Sequence, residues 1–162
     1  MTLGFAQLVN GHVYDFSTIV AVINTPVPVA ITRFTAIKWN YKLTPGELRG
    51  NSAHKLGRTR GTFSADGAIT LYEEEWNVMR AALALAPLPV GGGYLEKAFL
   101  LTVSVGMLPS VPTTTVLGGC RVTEVSRAYS HGSDALMVDL TLDIMKVLEG
   151  GQSPVRDRSG IV

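Results

Sequence analysis

Apolar and polar residues alternate with a period of two in much of this sequence, most clearly near the C-terminus. Ten consecutive residues divide into two sets there, Leu136, Val138, Leu140, Leu142 and Ile144 in one and Met137, Asp139, Thr141, Asp143 and Met145 in the other. Successive side chains of a β-strand point to opposite faces, so one set faces a core and the other faces water. The pattern predicts a strand in an antiparallel sheet that is covered on one face only.

Similar patterns predict further strands, separated by breaks that contain glycine or proline. The predicted stretches are 14–23, 31–43, 58–71, 94–105, 119–128 and 135–148. The last two form the arms of a closing hairpin, and Asn10-Gly11 favours the tight turn of an opening hairpin. Residues 44–57, between the second and third stretches, are predicted to form a long loop, which in a compact domain is usually functional or disordered.

One stretch has the spacing of a helix. Its apolar stripe consists of Tyr72, Trp76, Met79, Leu83 and Ala86, and Pro87 follows it. Thr70 and Glu73 have the spacing of a capping box, and the three glutamates at 73–75 suit the positive end of a helix dipole. The sequence predicts this segment as the only substantial helix.

These elements predict a mainly β fold, a β-sandwich or partial barrel of about six antiparallel strands with one α-helix packed on the side. A chain of 162 residues fits one domain. We expect the domain to cover residues 1–148, and residues 149–162 to form a C-terminal tail that is mobile or docked on a neighbouring molecule.

Composition narrows the function classes. Charged residues make up only 17% of the chain, against about 25% in a typical domain, which indicates that part of the surface is covered by a partner. The net charge of +1 argues against a protein that binds nucleic acid by neutralising phosphates. Its single cysteine, Cys120, allows no disulfide within the chain, and no signal peptide or membrane-spanning run is visible. We expect a protein that is made in the cytoplasm and does not enter a membrane.

Motifs for catalysis or cofactor binding are not found. The sequence has no phosphate-binding glycine motif before a helix, and its three histidines and one cysteine have no zinc spacing. The Ser130-His131-Gly132-Ser133-Asp134 run suits a turn better than a catalytic triad, and Cys120 suits a structural thiol. We therefore expect no enzyme activity, no cofactor and no metal. A small-molecule-binding β-barrel enzyme, as an alternative, requires an apolar pocket with convergent polar groups.

Half of the chain's 14 basic residues are concentrated between Arg33 and Arg60. The seven residues Arg33, Lys38, Lys42, Arg49, Lys55, Arg58 and Arg60 lie there with one acid, Glu47. Three interpretations stay open: a solvated basic loop, a DNA contact, or one side of a complementary contact with another copy of the chain. If the basic segment contacts another copy, the acids that it meets on that copy are expected to be among Glu73, Glu74, Glu75, Asp139 and Asp143.

Several short motifs together resemble the phage tail tube proteins of long-tailed bacteriophages. They are residues 37–42 (IKWNYK), 45–50 (PGELRG), 56–61 (LGRTRG) and 71–76 (LYEEEW), with the opening and closing hairpins on either side. The resemblance covers roughly residues 8–148. The tube proteins of type VI secretion systems share this fold, so the resemblance alone does not separate the two groups.

The resemblance implies a structural virion protein of the phage tail. Members of the family form hexameric rings that stack into a tube, and each subunit lends strands to a continuous β-barrel around the lumen through which the genome passes without specific binding. The partners implied are other copies of the chain and sheath, baseplate or terminator proteins. Alternative roles on the same fold are a tail terminator, a baseplate ring or a secretion tube.

The resemblance also implies an assembly interface. Strands 31–43 and 58–71 correspond to the family's lumen-forming hairpin, and residues 44–57 to its loop that reaches into the adjacent ring. The expected interface residues are Lys42, Pro45, Glu47, Arg49, His54, Lys55, Arg58 and Arg60. Asp139 and Asp143 are expected to face the lumen or a subunit contact, because a genome channel should not attract DNA.

Overall fold

The computed structural model of the chain describes residues 19–25, 28–51, 54–85, 92–106, 112–132 and 134–155. Over these residues it has ten β-strands, one α-helix and one short 3-10 helix (Tyr94–Glu96). The strands are β1 (Ile19–Asn24), β2 (Val29–Ile31), β3 (Phe34–Thr44), β4 (Glu47–Arg49), β5 (Lys55–Arg58), β6 (Thr62–Tyr72), β7 (Phe99–Val105), β8 (Thr113–Arg127), β9 (Met137–Ile144) and β10 (Lys146–Glu149). The helix α1 (Glu73–Leu85) follows β6 directly.

Eight of these strands form one antiparallel sheet. Its order is β2-β1-β7-β8-β9-β6-β3, and β10 pairs with β8 beyond the end of β9. The strands β4 and β5 pair only with each other. The predicted mainly β fold class with one helix packed on the side is confirmed, with a sheet that is open and not closed into a barrel. The six predicted stretches correspond to β1, β3, β6, β7, β8 and β9 with β10, and short strands at their ends account for the larger number.

Strand β8 divides the sheet into two halves. Its first part, up to Cys120, pairs with β7, and residues 121–127 pair with β9. Just before this junction Gly119 has a φ of 64°, and a β-carbon there would lie 2.9 Å from the side chain of Met145. The break between β9 and β10 lies at Met145, next to Gly119. The Met145 backbone N–H donates to the Gly118 carbonyl at 3.2 Å. One half of the sheet thus consists of β3, β6, β9 and residues 121–127, and we call it the four-stranded half.

The core lies on one face of the sheet, under the helix. In β9 every second residue is buried, from Val138 to Ile144, so the predicted alternation of this strand is confirmed. The helix buries Trp76, Met79 and Leu83 against β2, β6, β9 and the 3-10 helix. These positions belong to the predicted stripe, which has the 3.6-residue period of a one-sided helix. Within the described residues no helix is long and apolar enough to cross a membrane.

The predicted capping box at the start of α1 is wrong. Thr70 lies inside β6, and its hydroxyl donates to Asp139 Oδ1 at 2.6 Å across the sheet. Thr70 is therefore opposite Asp139 in the ladder and does not cap the helix. The Glu73 N–H instead donates to the Leu136 carbonyl at 3.0 Å, so the closing hairpin satisfies the first helical donor.

The C-terminal segment leaves the sheet through a tight turn. Glu149 and Gln152 form an isolated bridge, with positive φ angles at Gly150 and Gly151 between them. The Gly150 N–H donates to the Thr114 carbonyl at 2.9 Å. The division into a domain over 1–148 and a tail over 149–162 stays a prediction, and the predicted Asn10-Gly11 turn and residues 156–162 lie outside the described residues.

Cys120 should resist thiol reagents in the folded chain. Burial raises the pKa of its thiol to about 12, and its Sγ lies 3.2 Å from the Leu117 carbonyl oxygen. At pH 8 only about one thiol in 10⁴ is then ionised, and the thiolate is the reactive form. We expect negligible labelling by a maleimide at pH 8 in buffer and complete labelling in guanidinium chloride. Fast labelling in buffer would contradict a buried thiol.

Candidate assembly interface

A long hairpin carries most of the predicted interface. Strands β3 and β6 pair antiparallel from Phe34 opposite Leu71 at the base to Thr44 opposite Thr62 at the far end. The predicted pairing of stretches 31–43 and 58–71 is thereby confirmed. Among the described residues strand β3 is the last strand of the sheet, and it pairs there with β6 alone.

The segment predicted as a long loop continues this hairpin as a second ribbon. Strands β4 and β5 pair from Glu47 opposite Arg58 to Arg49 opposite Lys55, and the Thr59 N–H donates to the Gly46 carbonyl at 2.8 Å. The two chain segments that leave β3 and enter β6 already run antiparallel to each other. Further hydrogen bonds between them satisfy their backbone N–H and C=O groups. We call residues 45–61 the hairpin tip. The prediction of a loop over 44–57 is therefore wrong for the residues of that segment that lie in β4 and β5, and it holds for the described residues 50, 51 and 54 between them.

Exposure is common to the whole predicted interface set. All ten side chains lie at the surface: Lys42, Pro45, Glu47, Arg49, His54, Lys55, Arg58, Arg60, Asp139 and Asp143. Eight of them lie on the hairpin tip or just before it, while the two aspartates lie on β9. The structure therefore separates the set into two surfaces.

Glu47 is the centre of a charge cluster on the hairpin tip. Its Oε2 accepts hydrogen bonds from Arg49 Nε at 3.1 Å and Nη2 at 2.8 Å, and its Oε1 pairs with the Lys55 ammonium. The hydrogen bonds from Lys55 and Arg49 hold the pKa of the Glu47 carboxyl below its usual value. Arg58, Arg60 and Lys42 have no ion pair with any described residue.

Protonation of Glu47 should loosen this cluster at acid pH. Because the folded-state pKa is lowered, the stabilisation is present above the unfolded value of 4.5 and is lost as the pH falls through the folded value. We expect the side-chain carboxyl of Glu47, followed by NMR on the unassembled chain, to titrate with a midpoint below 4.5. The Glu47→Gln variant should lack the accompanying shifts in the amides of the hairpin tip. A midpoint above 4.5 would contradict the cluster.

The glutamates of the helix are already engaged within the chain. Glu73 accepts a hydrogen bond from the Tyr129 hydroxyl at 3.0 Å and lies 3.5 Å from Arg127 Nε. Glu74 forms an ion pair with Arg33, and Glu75 accepts from the Thr32 hydroxyl at 3.3 Å. Of the counter-charges proposed from the sequence, Glu75, Asp139 and Asp143 have no ion pair with any described residue. Because Arg33 pairs with Glu74, it is not one of the basic residues that lack an ion pair.

The second surface is the polar face of the four-stranded half. Residues directly opposite each other in a ladder share a face, so the registers place four acids and three bases there. The acids are Asp66, Glu124, Asp139 and Asp143, and the bases are Lys38, Lys42 and Arg121. This face has no excess of positive charge.

Charges on this face are arranged in rows that run across the strands. In one row Asp66 is opposite Asp143, which is opposite Arg121 on β8. In the next row Lys38 is opposite Ala68 on β6, Ala68 is opposite Thr141 on β9, and Thr141 is opposite Glu124 on β8. The second row therefore has opposite charges at its two ends and none between them.

Sequence reasoning missed Asp66, Arg121 and Glu124. The strand pattern does place Asp66 and Asp143 at polar positions. Strict alternation would place Arg121 and Glu124 on opposite faces, but the register between β8 and β9 shifts between Val122 and Glu124, and this irregularity brings both side chains to the same face. To place Asp66, Arg121 and Glu124 on one surface, it was also necessary to know that β6, β9 and β8 are neighbours in the sheet.

Both edges of the four-stranded half lack a strand partner among the described residues. On one side β3 pairs only with β6, and on the other residues 121–127 pair only with β9. A free strand edge has a row of unpaired backbone donors and acceptors, and natural proteins usually cover such edges. No three His, Cys, Asp or Glu side chains in the described ranges cluster closely enough to hold a metal ion.

Comparison with known proteins shows the fold. No protein-family model matches the sequence, and no curated protein matches it. Among solved structures, the chain is similar to one from the sheath-tube complex of an extracellular contractile injection system, with a TM-score of 0.63 and 11% identity. That match covers 94% of this chain and 99% of the other.

Two further structures extend the likeness. A chain of the tube-terminating cap of the anti-feeding prophage has a TM-score of 0.60 at 10% identity, over 94% of this chain and 99% of the other. The SPP1 tail tube has a TM-score of 0.59 at 9% identity, over 86% and 80% respectively. The chain therefore has a tail-tube fold, as the sequence resemblance predicts.

Proposed function

We propose that this chain is a structural virion protein that assembles into hexameric rings, which stack to form the tail tube of a phage. The observation that carries the proposal is the pair of edges on the four-stranded half, at β3 and at residues 121–127, that have no strand partner within the part of the chain that the structure describes. The likeness to tube and cap components supports it.

The two edges suit each other in direction. The strands β3, β6, β9 and β8 lie side by side in this order, and each neighbouring pair is antiparallel. The two outer strands, β3 and β8, therefore run in opposite directions. Strand β3 of one copy then pairs antiparallel with residues 121–127 of the next, and the contact repeats around a ring. Each copy contributes four strands to a closed barrel, and closure removes the edges.

The polar face of the four-stranded half lines the lumen in this arrangement. The face opposite to it packs on the core and on α1, so the core side faces outwards. With four acids and three bases, the lining does not attract the phosphates of DNA. DNA passes through such a lumen without a specific contact.

The hairpin tip contacts the adjacent ring. It extends the hairpin beyond the main sheet, and it exposes two leucines, Leu48 with 57% and Leu56 with 70% of its surface accessible. Large exposed apolar side chains on a projecting ribbon indicate a surface that a partner covers. Arg58 and Arg60, which have no ion pair with any described residue, lie at the base of the same ribbon.

Electron microscopy of the purified full-length chain tests the proposal. We expect rings at low concentration and long tubes with a central channel at high concentration. Single rings that never stack would favour the alternative, a terminator, cap or baseplate ring on the same fold. A chain that stays monomeric at millimolar concentration would overturn the proposal. Sheath, terminator or baseplate proteins are the expected further partners, in the virion.

A further inference from the structure

The two edges of the four-stranded half differ in charge on the polar face: β3 carries bases there, whereas residues 121–127 carry one acid, Glu124, and one base, Arg121, which lies opposite Asp143. On β3 this face has Lys38, Asn40 and Lys42 and no acid. On the other edge Glu124 faces the same side, and it has no ion pair with any described residue. Lys38 and Lys42 lack an ion pair in the same sense.

We propose that Glu124 of one copy forms an ion pair with the lysines of β3, Lys38 or Lys42, on the neighbouring copy. This inference rests on the proposed function, because it needs the ring contact between β3 and residues 121–127. It goes further by naming the side chains that fix the register of that contact.

Geometry within one chain keeps these charges apart. Lys38 and Glu124 lie at opposite ends of one row, and β6 and β9 lie between their strands. Three strand spacings separate them by about 14 Å, which is too far for an ion pair. Because the interior of the row is formed by Ala68 and Thr141, neither charge has a partner there. Lys38 and Glu124 can therefore pair with each other only between two copies of the chain.

The register of the contact decides which lysine is used. Strands in a closed barrel are tilted, so a row that crosses from one copy to the next is displaced along β3 by a fixed even number of residues. A displacement of four residues brings Lys42 to Glu124, as a tilted barrel allows, whereas Lys38 meets Glu124 only if the row is not displaced at all. A displacement of two residues places the neutral Asn40 beside Glu124 and loses the attraction. Opposite charges at the seam therefore disfavour that register.

Charge exchange tests the ion pair. Glu124→Lys should raise the protein concentration needed for ring formation by about tenfold or more, because three cations then meet at each seam. The double variant Lys38→Glu with Lys42→Glu should have a similar effect, and the three changes together should restore assembly. Asp134→Lys makes the same charge change on a loop away from both edges, and it should assemble like the wild type.

A disulfide provides a readout that does not depend on stability. Cysteines at 124 and 38, or at 124 and 42, are too far apart to be linked within one chain, because a disulfide requires α-carbons within about 7 Å. We expect mild oxidation of the variant Glu124→Cys with Lys38→Cys or of the variant Glu124→Cys with Lys42→Cys to give a ladder of linked chains that ends at the ring size. Cys120 is buried and should not take part.

The outcomes separate this inference from the proposed function. If the wild type forms tubes while Glu124→Lys assembles at an unchanged concentration and neither cysteine pair is linked, the ion pair is wrong and the tube function stands. If the wild type forms no rings, the proposed function fails. If Glu124→Lys does not fold, as measured by circular dichroism, the lysine variants and the cysteine pairs give the result.

Discussion

Replacing Trp76 with alanine is expected to lower the free energy of unfolding by about 3–5 kcal/mol, as for other large aromatic residues removed from a core. The side chain has no accessible surface and lies where α1 packs on the sheet. The Tyr94 ring contacts its edge, with a centroid distance of 5.9 Å and an interplanar angle of 72°. Removing the indole leaves a cavity between the helix, the 3-10 helix and the sheet. Since a typical domain is stable by only about 5–15 kcal/mol, much of the total is lost.

Two control variants identify the cause of that loss. The indole Nε1 has no hydrogen-bond partner among the described residues, so Trp76→Phe removes an unsatisfied buried donor together with some volume. We expect it to cost about 1 kcal/mol or less. Leu85→Ala changes a residue of the same helix that is 84% exposed, and should stay within about 0.5 kcal/mol of the wild type. Denaturation in urea measures all three, and a loss below 1 kcal/mol for Trp76→Ala would contradict this view of the core.

The strands of the closing hairpin and the helix were predictable from the sequence for one physical reason. A sheet or helix that is buried on one side repeats its contact with the core at a fixed period, and this period is visible in a single chain. Val138, Leu140 and Ile144 follow the period of two, and Trp76 and Met79 follow the helical period. Such patterns need no knowledge of which element lies opposite.

Features that depend on distant neighbours were not predictable in the same way. The hydroxyl of Thr70 had two candidate roles, and only the pairing of β6 with β9 decides for Asp139 over the helix N-terminus. The sequence predicted a strand only from residue 119 onwards, whereas β8 begins at Thr113 and contains Gly119, with its positive φ, in its interior. Polar residues in the hairpin tip suggested a loop, although backbone pairing between the two arms was enough to form a ribbon.

The candidate interface shows the same limit for charges. Composition located a basic segment, but it did not reveal that Glu47 binds two of its cations or that Glu74 binds Arg33. Charges that compensate each other lie far apart in sequence, and their pairing is fixed by the sheet order. Lys38, Lys42 and Glu124 have no ion pair with any residue in the described ranges, and they lie on the surface that an identical copy is expected to use.

The orientation of the hairpin tip depends on one glycine. Gly61 lies between β5 and β6 with a φ of 80°, in a region that side chains with a β-carbon rarely adopt. A β-carbon there would lie 2.0 Å from the Thr44 carbonyl oxygen and 2.6 Å from the Pro45 Cα, both of them backbone atoms. The two arms of the hairpin approach each other closely at this point, so a larger residue must move the tip.

Gly61→Ala is therefore expected to abolish tube formation while rings still form. The substitution costs about 1–2 kcal/mol for the backbone conformation alone, and relief of the clash turns the hairpin tip away from the neighbouring ring. The sheet itself pairs through residues before Thr44 and after Thr62, so thermal unfolding should shift by only a few degrees. Gly93→Ala is the matched control, because its φ is −65° and no atom lies within 4 Å of the added carbon. Electron microscopy that shows long tubes of the Gly61→Ala variant would mean that the hairpin tip does not set the contact between rings.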